Sequence, residues 1–175
     1  LRGHSTDGEG FLRSLSAFPL PKTALFFGGG GAAISVAQTL RDAGVTEVSF
    51  TVRRKQEVEG ALQDRIPGAW VRSFEDPFPV EPGPDTWLIQ STPLGTGAAL
   101  EGPDGEAVRG KIASWLPETC AGAVAVDLIY YPEHTPFLHE AEKRGCLPVS
   151  GLGMLVYQAM ASFQIWTNQC PPETV

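Results

Sequence analysis

The feature that most constrains the fold is a glycine-rich turn between an apolar segment and a helical pattern. The apolar residues 25–27 lead into four consecutive glycines, residues 28–31. Gly28, Gly30 and Ala33 match the G-x-G-x-x-G/A spacing of a dinucleotide-binding turn. In such a turn the first glycine permits the tight bend and the second lets a pyrophosphate approach the backbone. The third small residue allows close helix packing, and the helix N-terminus attracts the anion.

Glycine-rich turns also occur as plain connections, so the spacing alone leaves a purely structural interpretation open. Here the strand, the turn and the helix follow one another in the order that binding requires. We therefore predict that the turn binds a dinucleotide through its backbone, at Gly28, Gly29, Gly30, Gly31 and Ala32.

The next predicted strand, residues 47–52, indicates which dinucleotide. In NAD-binding folds an acidic residue about 20 positions beyond the glycines usually holds the ribose hydroxyls. In this chain the strand is followed instead by Arg53, Arg54 and Lys55. A solvated basic loop would also explain three consecutive cations. Their position favours a site for a 2′-phosphate, which arginine can grip with two hydrogen bonds, and so predicts NADP as the cofactor.

Composition excludes several classes of function. Thirteen basic and twenty acidic residues give a net charge of −7, which disfavours nucleic-acid binding because that requires a basic surface. No stretch approaches the roughly 18 apolar residues of a membrane span. Cys120, Cys146 and Cys170 are widely spaced and form no CxxC pair. We expect three reduced thiols in a cytoplasmic protein, and no bound metal.

The rest of the chain alternates between strand and helix patterns. Strands are predicted at residues 24–27, 47–52, 69–73, 87–90, 123–129 and 147–149. Helices are predicted at residues 10–17, 32–43, 56–64, 108–116, 135–144 and 152–166, and loops at residues 75–85 and 97–110. This alternation predicts an α/β fold with a Rossmann-like, doubly wound, mostly parallel sheet in three αβα layers, formed by residues 1–175 as one domain.

Ligands of such sheets bind at the carboxyl ends of the strands. Five segments follow predicted strands there: residues 28–31, 53–55, 91–95, 130–132 and 150–154. Tyr130 is either an ordinary surface tyrosine or a ligand-binding phenol. Gln158 is a polar residue among apolar neighbours in the last helix, and either lies at a polar edge or binds a substrate hydroxyl.

Five sequence blocks carry further motifs. They are GHSTDGEGF at residues 3–11, GGGGAA at 28–33, STPLG at 91–95, DLIYYPEHTP at 127–136 and GLGMLVYQ at 151–158. Together, and in this order, they resemble the C-terminal cofactor domain of shikimate dehydrogenase and its quinate/shikimate relatives. That family reduces 3-dehydroshikimate to shikimate with NADPH, a step in aromatic amino acid biosynthesis, and a lysine–aspartate pair handles the proton.

The resemblance implies a role for individual residues. Asp7 matches the catalytic aspartate, and Thr6, Tyr130 and Gln158 match positions that bind the substrate, a cyclic polyol carboxylate. Arg53 matches the arginine that binds the adenosine phosphate. Further cofactor-binding positions are implied at Arg54, Thr92, Pro93, Leu94, Ile129, Gly153 and Met154.

The family's lysine belongs to an N-terminal substrate domain, and none of the four lysines here lies in a comparable motif. We therefore expect the chain to be a piece of a longer protein whose N-terminal domain is its partner. Alone it is expected to bind cofactor without turning over substrate.

The chain also departs from the family pattern, with Ser5, Val52, Gln90 and Tyr131 in positions where the family usually has asparagine. These changes leave open a divergent paralogue acting on quinate or an amino-polyol. A non-catalytic NADP-binding module is the alternative from another class. A dehydrogenase of the methylene-tetrahydrofolate type is disfavoured by the blocks around Asp7 and Gln158.

Overall fold

A computed structural model describes residues 3–76, 78, 81–97, 100 and 104–171. Its strands are β1 (Thr23–Phe27), β2 (Glu47–Val52), β3 (Trp70–Ser73), β4 (Thr86–Gln90), β5 (Val124–Asp127) and β6 (Leu147–Val149). Its helices are α1 (Asp7–Ser14), α2 (Gly31–Asp42), α3 (Lys55–Arg65), α4 (Gly105–Ala113), α5 (Pro136–Lys143) and α6 (Leu152–Thr167).

The six strands form one sheet in the order β3-β2-β1-β4-β5-β6, and every neighbouring pair is parallel. The strand order therefore reverses between β1 and β4, as in a doubly wound sheet. The predicted Rossmann-like fold is confirmed, with a wholly parallel sheet. Because both faces of a parallel sheet are covered by helices, the central strands β1, β4 and β5 are almost entirely buried and apolar.

Two hydrophobic clusters hold the three layers together. Phe11, Val36, Leu62 and Met154 belong to the cluster that packs α1, α2, α3 and α6 on one face of the sheet. Helices α4 and α5 cover the other face through a second cluster that includes Phe137. The first strand contributes to both faces because successive side chains of a strand point in opposite directions.

Two glycines let α1 lie close against α2 and α6. A Cβ on Gly8 would collide with the side chain of Thr39 in α2. A Cβ on Gly10 would lie 2.6 Å from the backbone nitrogen of Gln158 in α6. Real Cβ atoms do not approach other atoms this closely, so the two helices can approach α1 this closely at these two positions only because neither has a side chain. This packing brings the start of α1 beside Gln158.

Most predicted elements are confirmed to within one or two residues, but two boundaries were wrong. The first helix spans Asp7–Ser14 rather than residues 10–17. Residues 97–110 were predicted to be a loop, yet α4 begins within them at Gly105. Glycines at 105 and 110 lower helix propensity, but burial of Ile112 against the sheet outweighs this local preference. Residues 98–99 and 101–103 of that predicted loop lie outside the described part of the chain.

The prediction of three reduced cysteines was wrong for two of them. Cys120 and Cys146 form a disulfide, while Cys170 is free and exposed. Each of the two bonded cysteines lies shortly before a strand, β5 or β6, and these strands are parallel neighbours. Their starts therefore meet at the same edge of the sheet, although 26 positions separate the cysteines in sequence. Among the described helices, none is long and apolar enough to cross a membrane.

Candidate functional site

A cleft of about 630 Å³ opens at the carboxyl ends of β1, β2 and β4. It is lined by Gly28, Gly29, Gly30, Val52, Arg53, Arg54, Val58, Phe74, Ser91, Thr92, Pro93, Leu94, Lys111 and Trp115. The cleft lies beside the point where the strand order reverses, which is where ligands bind in open α/β sheets. Most of the predicted cofactor-binding residues therefore meet in one cavity.

Five predicted cofactor positions do not line this cleft: Gly31, Ala32, Ile129, Gly153 and Met154. Gly31 is the first residue of α2. Gly153 faces α1, where a Cβ would lie 3.1 Å from that of Ser14. Met154 packs in the core between α1 and the sheet. Their roles toward a cofactor stay predictions.

The glycine turn contains one glycine that the backbone conformation requires, Gly28, and two glycines whose surroundings are open, Gly30 and Gly31. Gly28 has φ +111° and donates a backbone hydrogen bond to Thr51 O (2.9 Å). A Cβ there would lie 2.7 Å from Ser91 Oγ, so both conformation and space require glycine. A Cβ on Gly30 or Gly31 would meet nothing within 4 Å. The turn thus leaves its backbone accessible at these two residues.

The start of α2 suits an anion. Gly30 occupies the N-cap position, no side chain caps the helix, and its first turn has no acidic residue. The first backbone N–H groups of a helix lack partners within the helix and carry a partial positive charge. Together with the open turn, they form a surface that a pyrophosphate can approach, which fits the predicted dinucleotide.

The three cations after β2 differ in their ion pairs. Arg54 pairs with Glu57 at 3.1 Å, and Lys55 approaches Asp76 at 3.9 Å. Within the described ranges, Arg53 forms no ion pair or side-chain hydrogen bond. Its guanidinium is exposed at the cleft and available to an external anion.

Gln90 shapes the loop that forms the opposite side of the cleft. Its side chain is fully buried at the end of β4 and donates hydrogen bonds to the carbonyls of Thr92 (3.1 Å) and Leu94 (2.9 Å). Its Oε1 accepts a hydrogen bond from the Thr92 backbone N–H. From sequence, Gln90 was noted only as a departure from the family pattern. A buried amide ending an apolar strand was the available signal, because such a group needs partners.

Asp127 organises the loop after β5 in a similar way. The carboxyl is fully buried, accepts a hydrogen bond from Thr135 Oγ1 (2.6 Å) and another from the Ile129 backbone N–H (2.9 Å). Burial raises the pKa of Asp127 to about 7, and the two hydrogen bonds lower it only in part. Tyr130 lies in this loop with its ring about half exposed. Its phenol is therefore accessible to a ligand.

Two of the three predicted substrate residues, Thr6 and Gln158, meet between the start of α1 and α6, next in sequence to the predicted catalytic Asp7. Thr6 Oγ1 lies 3.3 Å from Gln158 Oε1 and 3.0 Å from Ser162 Oγ. Thr6 is 8% exposed, so its hydroxyl serves this internal contact. Gln158 also donates from Nε2 to the Leu155 carbonyl (3.1 Å). Asp7 is half-buried at the start of α1, and no hydrogen bond or ion pair joins it to another described residue.

Six residues that line the cleft were not among the predicted binding residues: Val52, Val58, Phe74, Ser91, Lys111 and Trp115. The Phe74 and Trp115 rings lie 4.8 Å apart between centroids, and Trp115 also stacks on Phe27 at 6.0 Å. Phe74 follows β3 directly, which was a usable signal. Lys111 and Trp115 come from α4 and the turn after it, whose position against the cleft no local pattern indicates.

Comparisons with known proteins agree with this geometry. The family model for the Shikimate 5′-dehydrogenase C-terminal domain matches residues 151–175. A shikimate dehydrogenase (NADP⁺) of Moorella thermoacetica is 35% identical over 187 residues, which cover all of this chain and 59% of that protein. The chain is homologous to the C-terminal part of shikimate dehydrogenases. The resemblance seen in the five sequence blocks is therefore confirmed.

Solved structures extend the comparison to the fold. The shikimate 5-dehydrogenase of Thermus thermophilus, crystallised with NADP(H) and shikimate, has a TM-score of 0.72 and 33% identity, and the match covers 97% of this chain and 59% of that one. The ligand-free 5-ketofructose reductase of a Gluconobacter species has a TM-score of 0.69 and 29% identity, covering 97% and 60%. The chain thus spans about 60% of the length of the shikimate dehydrogenases that it matches.

Proposed function

We propose that residues 1–175 form the NADP-binding domain of a shikimate dehydrogenase-like oxidoreductase, which reduces 3-dehydroshikimate to shikimate with NADPH. The observation that carries this proposal is the cleft that joins an open glycine turn to the exposed guanidinium of Arg53. Homology to NADP-dependent shikimate dehydrogenases supports the same cofactor and reaction.

The residues of the cleft fit the proposed cofactor in charge and shape. The start of α2 and the backbone of Gly30 and Gly31 would hold the pyrophosphate. Arg53 would bind the 2′-phosphate, and Thr92 and Leu94, on the loop that Gln90 holds, would border the cofactor on its other side. When bound, NADPH supplies the hydride for the ketone.

The substrate would lie near Asp7, Gln158 and Tyr130. The carboxylate of Asp7 can accept a hydrogen bond from the reacting hydroxyl and keep a nearby lysine charged. The lysine of the family's catalytic pair would come from an N-terminal substrate domain, which we propose as the partner of this chain. The contact of Gln158 with Thr6 would orient its amide toward that substrate.

A cytoplasmic location stays a prediction. The disulfide between Cys120 and Cys146 removes one of its supports, which was the expectation of reduced thiols.

The first test is calorimetric titration of the protein with NADP and, separately, with NAD. We expect tight binding of NADP and much weaker binding of NAD, because NAD lacks the 2′-phosphate that Arg53 would bind. Equal affinities would contradict the assignment of the 2′-phosphate. Failure to bind either dinucleotide would leave the glycine turn as a structural connection.

A second candidate is the reduction of another polyhydroxylated ketone by the same chemistry. The similarity to a 5-ketofructose reductase favours it, as do Ser5 and Tyr131, which differ from the usual family residues. Steady-state assays of the full-length protein with shikimate, quinate and 5-ketofructose would separate the candidates. A non-catalytic NADP-binding module would bind the cofactor and oxidise or reduce none of them.

A further inference from the structure

Lys111 lies on the other wall of the cleft from Arg53. Lys111 belongs to α4, whose neighbour Ile112 packs in the cluster on one face of the sheet. Arg53 follows β2 and leads into α3, which packs on the opposite face. Both residues nevertheless line the same 630 Å³ cavity. A ligand in the cleft would therefore meet a cation on each side.

Lys111 differs from two of the cations after β2, Arg54 and Lys55, in having no ion pair with a described residue. Arg54 and Lys55 face carboxylates within salt-bridge distance. Lys111 is exposed, and no ion pair joins it to any residue that the structure describes. Glu75 is its charged neighbour: a hydrogen bond from Ser73 chiefly lowers the pKa of Glu75, and the charge of Lys111 contributes a smaller part. Among the described cleft residues, Arg53 and Lys111 are thus the cations available to an external anion.

The cleft that Arg53 and Lys111 line also has an apolar, largely aromatic part. The Phe74 and Trp115 rings lie side by side, and Val58 of α3 lines the same cavity. Such a surface suits the flat face of a purine, whereas the cations suit a phosphate attached to its ribose. Phe74 follows β3 directly in the chain, and the pyrophosphate site is proposed at the start of α2.

We propose that Lys111 is a specificity-determining residue, which binds the 2′-phosphate of NADP from the α4 side while Arg53 binds it from the β2 side. This inference rests on the proposed NADP function. A phosphate monoester carries a charge of about −1.5 to −2 at neutral pH, so a single arginine neutralises only part of it. Lys111 supplies the second positive charge.

The experiment compares Lys111→Met with the wild-type, full-length protein by calorimetric titration. The ligands are NADP and adenosine 2′,5′-bisphosphate, which carry the 2′-phosphate, and NAD and AMP, which lack it. We expect Lys111→Met to weaken binding of the first pair about 5- to 10-fold and binding of the second pair less than about 2-fold. Lys111→Arg should restore most of the loss, and Glu75→Gln should leave NADP binding equal or tighter.

Two results would overturn the inference in distinguishable ways. Unchanged NADP affinity of Lys111→Met, together with a loss in Arg53→Ala, would refute the role of Lys111 and leave the proposed function intact. An equal loss for NADP and NAD in Lys111→Met would also refute it, because the effect would not depend on the 2′-phosphate. If the wild type binds neither NADP nor adenosine 2′,5′-bisphosphate, the proposed function itself fails. Because Lys111 is exposed, the variant should unfold at the wild-type temperature.

Discussion

Asp127 should make the stability of the fold decrease as the pH rises through neutrality. Burial raises the pKa of this carboxyl from 3.8 to about 7 in the folded protein. Between these two values the folded protein keeps a proton on Asp127 that the unfolded chain has lost. The free energy of unfolding is therefore highest at acidic pH and falls until the pH passes the folded pKa.

The magnitude follows from the size of the shift. Each pKa unit corresponds to about 1.4 kcal/mol, so a shift of roughly three units is worth about 4 kcal/mol across the full range. About 2 kcal/mol of this falls between roughly pH 5.5 and pH 8, because the folded carboxyl is protonated at the lower pH and ionised at the higher. The side chain is fully buried, so solvent screens this term little.

The assay is urea unfolding of the wild type and Asp127→Asn at about pH 5.5 and pH 8, with the disulfide intact. The wild type should lose about 2 kcal/mol more than Asp127→Asn between the two conditions. Glu140→Gln is the matched control. A hydrogen bond from Lys143 lowers the pKa of Glu140, so that carboxylate stays ionised throughout this range. If the difference between the wild type and Asp127→Asn is the same at both pH values, the assignment of the proton to Asp127 is refuted.

Three further substitutions test the site and its scaffold. Arg53→Ala should weaken NADP binding by about 1.5–3 kcal/mol and NAD binding far less, measured by calorimetry, and equal losses would exclude a phosphate contact. Asp7→Asn in the full-length protein should lower kcat while the Kd for NADP stays unchanged, whereas an unaltered kcat would remove Asp7 from the mechanism. Gly10→Ala should destabilise the protein by about 1–3 kcal/mol in urea unfolding, because its Cβ would collide with the α6 backbone. Gly60→Ala is the control, because Gly60 lies in helix α3 and a Cβ there would meet open space. This substitution should raise the free energy of unfolding by up to about 1 kcal/mol. A loss of stability as large as that of Gly10→Ala would contradict the packing argument.

The elements of the fold could be predicted because their signals are local. Alternating strand and helix patterns predicted all six described strands, and the glycine spacing placed the turn between β1 and α2. The boundaries that failed lie where packing outweighs propensity. The sequence pattern predicts a helix that begins at Gly10, yet Gly10 lies inside α1, where the absence of a side chain allows the close approach of α6.

The candidate site could be predicted in part, because some of its residues also carry local sequence signals. Arg53 and Thr92 follow strands in the sequence, and in a parallel sheet the carboxyl ends of neighbouring strands meet at one edge, so their approach could be expected. Lys111 comes from a helix that begins in a predicted loop, and Trp115 follows that helix. Nothing in the surrounding sequence indicates that this helix borders the cleft.

The α/β alternation, the glycine turn and the three cations after β2 can be predicted from the amino-acid sequence, because each depends on residues close together in the chain. Folding decides which of these cations are already paired, why the pKa of Asp127 is raised, and that Cys120 and Cys146 meet. Ion pairing, desolvation and disulfide formation depend on distances between side chains, and folding brings together groups that the sequence separates.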